Sequence, residues 1–120
     1  MRQLVIFLLL CAMPAAAGEI TATVTAYCAC QKCCPQWAGG LTASGKLPRE
    51  GITVAAPRSL KFGTKVQIKG VGERVVQDRL ARRYDNRFDV YFDDHQAALR
   101  FGKRRLIVTI NEGPRTARRS

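Results

Sequence analysis

Alternating apolar and polar side chains run through the middle of the chain and predict short β-strands. From residue 19 to 27 the apolar Ile20, Ala22, Val24 and Ala26 alternate with three threonines, which is typical of a strand that is buried on one face. Five further short apolar segments predict strands at 51–55, 64–68, 73–78, 88–92 and 106–110.

One short helix is expected between the last two of these strands. Asp93 is a suitable N-cap with Gln96 three residues on, the apolar side chains that follow form one face, and Gly102 ends the element. Many short strands separated by Gly and Pro turns favour a closed barrel, because closure removes exposed edges. The predicted fold is therefore mainly β, a small six-stranded barrel with one short helix.

The first 17 residues have the pattern of a secretory signal peptide. Arg2 precedes an apolar run from Leu4 to Met13, and Pro14 and three alanines follow. The run is half of the roughly 20 residues that a membrane span needs, and no later segment is longer. We expect cleavage after Ala17, a barrel domain at 18–112, a basic disordered tail at 113–120, no transmembrane segment, and a periplasmic, secreted or wall-associated location.

The chain is strongly basic, with 20 Lys and Arg against 9 Asp and Glu and a net charge of +11. Such an excess predicts a polyanionic neighbour. Nucleic acid is not expected, because the chain is predicted to be exported and its basic and aromatic residues do not interleave. Anionic wall or envelope polymers fit better, although a solvated basic face remains an alternative for the tail and for residues 103–105.

Four cysteines, Cys28, Cys30, Cys33 and Cys34, lie in a loop at 28–46 that is rich in Gly, Ser and Pro. Disulfides persist in exported proteins, and crossed short bridges would staple this loop onto the first strand. A tetrathiolate zinc site is the alternative, but the spacing lacks the two separated pairs of common zinc modules. We therefore predict disulfides and no metal or other cofactor.

Two further side chains in or near this region have more than one interpretation. Trp37 is placed to stack on a sugar ring, or else to cover a small core. His95 lies at the start of the expected helix, and we interpret it as a solvated residue without a catalytic role.

Two aspartates are the best candidates for catalysis. Asp78 follows Val75 and Val76, and Asp89 lies between Phe88 and Val90, surroundings that raise the pKa of a carboxyl group. An acid that stays protonated near neutral pH is what the cleavage of a glycosidic bond requires. The alternative is structural: Asp78 pairs with a neighbouring arginine, and Asp89 accepts hydrogen bonds from loop amides.

These features together resemble the 3D domain family, a double-psi β-barrel that is also found in membrane-bound lytic transglycosylase A and in exported cell-wall proteins. The resemblance extends from Thr23 to Ile110. It rests on Thr25-Ala26-Tyr27, Thr42-Ala43-Ser44-Gly45, Gly63-Thr64-Lys65-Val66, Asp78 and Asn86-Arg87-Phe88-Asp89-Val90-Tyr91-Phe92.

The resemblance implies cleavage of the peptidoglycan glycan strand between N-acetylmuramic acid and N-acetylglucosamine, without water, to give a 1,6-anhydro sugar. Asp89 matches the acid of the family, and Asp78 matches the aspartate that supports it. Substrate-binding residues are then expected in the same groove: Tyr27, Ser44, Arg79, Arg87 and Trp37.

The chain departs from the family pattern at three places. Ala56 stands where the family has a third aspartate, Leu80 and Ala81 replace a pair of glycines, and Lys61 replaces a proline. These departures favour an alternative, a non-catalytic module that binds glycan strands or anionic wall polymers. A third alternative is that the protein is a small accessory subunit of a larger wall enzyme.

Overall fold

Six strands form a closed barrel in the computed structural model, which describes residues 17–30 and 40–111. The strand order around the barrel is β1-β5-β2-β4-β3-β6. The strands are β1 (Ala17–Tyr27), β2 (Thr53–Ala55), β3 (Lys65–Ile68), β4 (Gly72–Asp78), β5 (Arg87–Tyr91) and β6 (Arg104–Asn111). A 3-10 turn at Arg82–Tyr84 precedes β5, and the helix α1 (His95–Phe101) follows it. The predicted class, a six-stranded β-barrel with one short helix, is confirmed.

The first strand holds the barrel together. Its whole length up to Val24 pairs in antiparallel fashion with β6, and its last five residues pair in parallel with β5. A second parallel pair joins β2 to β4. Parallel neighbouring strands need long crossover connections. The chain therefore crosses the barrel between β1 and β5 and again between β2 and β4.

The interior is filled by the apolar members of the alternating pattern. In β3, for example, Val66 and Ile68 are fully buried while Lys65 and Gln67 are exposed. Phe101 of α1 packs against the same core. Ile20, near the start of β1, and Ile52, just before β2, are exceptions, because they remain 46% and 37% exposed. The buried core contains Ala22, Val24, Val54, Ala56, Leu60, Val66, Ile68, Val76, Phe88, Val90, Phe101 and Val108.

The helix begins one residue later than predicted. Asp94, not Asp93, is the N-cap, and its carboxylate accepts a hydrogen bond of 3.0 Å from the backbone N–H of Ala97. The backbone N–H of Asp93 donates instead to Glu50 Oε1 at 2.8 Å, which holds Asp93 outside the helix. Gly102 ends the helix with a φ of 70°, a conformation in which glycine carries no Cβ penalty.

Several predictions concern residues beyond the described ranges. Residues 1–16 of the predicted signal peptide at 1–17, the basic tail at 113–120, Cys33, Cys34 and Trp37 all lie there, and their predicted roles remain predictions. Ala17, the last residue of the predicted signal peptide, is the first residue of β1. Within residues 17–30 and 40–111, no helix has the length and apolar character needed to cross a membrane.

Candidate functional site

Asp89 points to the outside of the barrel because its neighbours point inward. Phe88 and Val90 are buried in the core, so the intervening side chain lies on the opposite face of β5. There it meets β1, where Thr25 is its register partner. Thr25 Oγ1 donates a hydrogen bond of 2.9 Å to Asp89 Oδ1, and the carboxyl group remains only partly exposed.

A register shift brings Asp78 to the same outer face. Val54 pairs with Val76, but the next residue of β2, Ala55, pairs with Asp78, so Gln77 has no partner position. An extra residue of this kind re-aims the side chains that follow it. Without the shift, Gln77 would stand opposite Ala55 and Asp78 would face the other way.

Ala55 separates the two aspartates. It pairs with Asp78 on one side and with Asp89 on the other. Two strand spacings of about 4.8 Å each therefore lie between the two backbone positions. The small side chain of Ala55 leaves the space between the carboxyl groups open to the solvent side, where it lines a cleft.

Three donors hold the carboxylate of Asp78. The hydroxyl of Tyr27 donates to Oδ2 at 2.7 Å, and the backbone N–H groups of Ala43 and Arg79 donate to Oδ1 at 2.9 Å each. Within the described residues neither Asp78 nor Asp89 forms an ion pair. The structural alternative, in which an arginine side chain neutralises Asp78, is therefore not what the structure has.

Burial raises the pKa of Asp89 from 3.8 to about 6. The negative charge of Asp78 raises this pKa further by a smaller amount, while the Thr25 hydrogen bond and the positive charge of Arg87 lower it. The expected like-charge effect of Asp78 is present, but removal of the carboxyl group from water is the larger cause. A substantial fraction of Asp89 is consequently protonated in mildly acidic solution.

Both aspartates line an open cleft of about 820 Å³. This volume lies within the range of small-ligand sites. The wall is contributed by the end of β1, the segment at 40–43, the segment after β2 and the connection from β4 to β5. The lining residues are Tyr27, Ala29, Gly40, Leu41, Thr42, Ala43, Pro48, Ala55, Arg58, Asp78, Arg79, Leu80, Ala81, Arg83, Tyr84 and Asp89.

Of the four described residues that were predicted to bind substrate, two line the cleft and two do not. Tyr27 and Arg79 line the cleft. Ser44 is not among the residues that line the cleft, and its hydroxyl is 3.0 Å from Thr42 Oγ1. The guanidinium of Arg87 lies 4.5 Å from the centre of the Tyr84 ring, beside the cleft.

Arg79 reaches the cleft while its guanidinium group is bound to the backbone. It donates to the carbonyl oxygens of Ala56 and Pro57 at 3.1 and 3.0 Å, and to that of Leu60 at 2.7 Å. It also lies 4.2 Å from the centre of the Phe62 ring. Arg79 therefore fixes the segment 56–62 that follows β2.

Sequence reasoning missed three contributors to the site. Thr25 was recognisable as one of the polar positions of the alternating first strand. Tyr84 lines the cleft and is 38% exposed. The guanidinium groups of Arg83 and Arg87 form cation–π contacts with its ring. Arg58 forms a salt bridge of 3.0 Å with Asp85, and no local pattern indicates that contact.

The structure describes two of the four cysteines of the loop at 28–46, Cys28 and Cys30. The Sγ atoms of Cys28 and Cys30 are 2.9 Å apart, longer than the bond of about 2.05 Å in a disulfide, so these two residues are not bonded to each other. His95 was predicted to be solvated, and this is wrong: it is partly buried, and its Nδ1 lies 3.5 and 3.4 Å from the two sulfurs. Bridges to Cys33 or Cys34 remain a prediction.

The fold and the site define a small closed β-barrel with two aspartates in an open, arginine-flanked cleft. The chain is similar to a protein described as a cell wall shaping protein, YabE of Bacillus subtilis (strain 168), with 27% identity over 92 residues. This match covers 76% of the chain but only 22% of that relative. No family model matches the chain.

Proposed function

We propose that this protein is exported and cleaves the glycan strands of peptidoglycan in the manner of a lytic transglycosylase. The observation that carries the proposal is Asp89, an acid with a pKa of about 6 that lines the same open cleft as Asp78. The described similarity to a cell wall shaping protein supports a substrate in the cell wall.

The reaction needs one proton donor that becomes a base. Protonated Asp89 donates its proton to the oxygen that links N-acetylmuramic acid to N-acetylglucosamine, and the bond from C1 to that oxygen breaks. The 6-hydroxyl of the muramic acid then bonds to C1, and the Asp89 carboxylate takes the hydroxyl proton. The enzyme returns to its starting state, no water is consumed, and the products are a 1,6-anhydro end and a free 4-hydroxyl end.

Asp78 has the role of a fixed negative charge. Its three hydrogen-bond donors hold the carboxylate in one orientation. The negative charge of Asp78 raises the pKa of Asp89. It also stabilises the positive charge that develops on the sugar ring as the bond breaks. In this mechanism Tyr27 acts by positioning Asp78.

The test is incubation of the protein and its Asp89→Asn variant with purified peptidoglycan, followed by mass spectrometry of the soluble products. Asp93→Asn, an exposed change outside the cleft, is the matched control. We expect 1,6-anhydro muropeptides from the unmodified protein and the control, and none from Asp89→Asn. Hydrolytic ends instead of anhydro ends would contradict the proposed chemistry.

A second function, binding of glycan strands without cleavage, is favoured by one observation. Ala56 stands where the resembled family has a third aspartate, so this position offers no carboxylate to the cleft. If no products form and both Asp89 forms sediment with the wall, the protein is a binding module. Absence of both cleavage and sedimentation would reject both functions.

Thr25 should set the pH range of the reaction, because its hydroxyl lowers the pKa of Asp89. We predict that kcat/KM of the unmodified protein falls as the pH rises through about 6, where the acid loses its proton. Thr25→Val should move this fall to higher pH. Thr21→Val, an exposed change on the same strand, should leave the pH profile unchanged, and an identical shift in both variants would reject the role of the hydroxyl.

A further inference from the structure

Two sulfur atoms and one imidazole nitrogen converge between the end of β1 and the start of α1. Cys28 Sγ, Cys30 Sγ and His95 Nδ1 all lie within 4.8 Å of one another. Cys28 is fully buried, and the other two side chains are partly buried. The two cysteines follow β1 directly, whereas His95 is supplied by a helix more than 60 residues further along the chain, so the fold itself assembles the cluster.

The two distances from nitrogen to sulfur in this cluster are close to those of a tetrahedral zinc site. Bonds of about 2.3 Å to sulfur and about 2.0 Å to nitrogen place the sulfur and nitrogen ligands about 3.5 Å apart. The observed distances from His95 Nδ1 to the sulfurs are 3.5 and 3.4 Å. The two sulfurs, now 2.9 Å apart, would have to separate by about 0.9 Å to reach tetrahedral spacing.

We propose that Cys28, Cys30 and His95 bind one zinc ion. Thiolate sulfur and imidazole nitrogen are the ligands that commonly bind zinc in proteins. A disulfide would account for the cysteines alone, but it gives no reason for an imidazole nitrogen equally close to both sulfurs. This assignment replaces the disulfide interpretation for Cys28 and Cys30.

The ion would serve as a structural link beside the cleft. It would tie the segment after β1 to α1, one residue beyond Tyr27, whose hydroxyl holds Asp78. The same segment contributes Ala29 to the cleft wall. Metal binding would therefore stabilise this wall without placing the ion against the aspartates.

The test is titration of the reduced, metal-free protein with Co²⁺ and then Zn²⁺. Tetrahedral thiolate coordination gives Co²⁺ intense visible bands and a sulfur-to-metal charge-transfer band, both of which Zn²⁺ should abolish by displacement. We expect one ion per chain and loss of the bands in Cys30→Ser. His95→Ala should weaken Zn²⁺ binding by about 100-fold or more, because one of the three ligands found among the described residues is lost.

Gln96→Ala, the exposed neighbour on α1, is the matched control and should bind Zn²⁺ like the unmodified protein. Circular dichroism establishes that each variant is folded. Unchanged Zn²⁺ affinity in a folded His95→Ala variant would overturn the proposal. So would peptide mapping of the protein isolated without reductant, if it found Cys28 or Cys30 in a disulfide.

Discussion

At the scale of the single residue, the raised pKa of Asp89 makes the stability of the fold depend on pH. Its pKa is about 6 in the folded chain against 3.8 ordinarily, so the folded state binds the proton more tightly than the unfolded state. The resulting stabilisation is complete below about pH 4 and is lost as the pH rises through 6. The ionised carboxylate then costs the fold about 3 kcal/mol relative to the protonated form.

Asp89→Asn should remove this cost. An amide cannot ionise, and its oxygen can still accept the hydrogen bond from Thr25. In urea unfolding at pH 8 we expect the variant to be more stable than the unmodified protein by up to about 3 kcal/mol. At pH 4 the two proteins should differ little. Equal pH dependence in both would mean that Asp89 titrates normally in the folded chain.

At the scale of elements, the cleft depends on a segment without regular structure. Residues 56–62 follow the three-residue strand β2 and are held by Arg79 of the connection after β4. A planar guanidinium reaches several carbonyl oxygens at once, whereas the ammonium of a lysine is a single flexible point charge. The side chain expected to bind substrate thus also builds the wall of the cleft.

Arg79→Lys should therefore destabilise the fold although it conserves the charge. Loss of most of the three hydrogen bonds and of the contact with Phe62 should lower the free energy of unfolding by about 2 kcal/mol. Arg83→Lys, which changes an exposed arginine of the same cleft, should have an effect within about 0.5 kcal/mol. Chemical denaturation measures both, and equal effects would exclude the backbone role of Arg79.

The elements themselves were largely predictable, and their junctions were not. Alternation identified the first strand and short apolar segments identified the other five, because the barrel buries the apolar side chains of each strand. The extra residue at Gln77 has no sequence signature, since the run around it looks like an ordinary strand, yet it decides where Asp78 points. The contact of His95 with two cysteines likewise depends on tertiary structure, which local patterns do not encode.

At the scale of the whole molecule, the positive charge is not concentrated in the cleft that holds the two aspartates. Arg58 is paired with Asp85, and Arg79 is bound to carbonyl oxygens. Much of the net charge of +11 belongs instead to exposed side chains such as Lys65, Arg100 and Lys103. Attraction to anionic wall polymers would then be a property of the surface, separable from recognition in the cleft.

Salt should distinguish these two contributions. Raising NaCl from about 0.05 to 0.5 M shortens the Debye length from about 14 to 4 Å. Sedimentation with walls that carry anionic polymers should fall steeply over this range. Binding to the same walls after the anionic polymers have been extracted should change much less. Equal salt dependence for both preparations would place the electrostatic attraction in the glycan site itself.

The pairing of β1 with β5 and β6 also determines when the protein can fold. No described strand before residue 87 pairs with the first strand, and the longest pairing of that strand is with the strand that ends at Asn111. Topologies dominated by such distant contacts fold in milliseconds to seconds rather than microseconds. A chain emerging from a ribosome would thus remain without its barrel until nearly all of the described sequence had appeared.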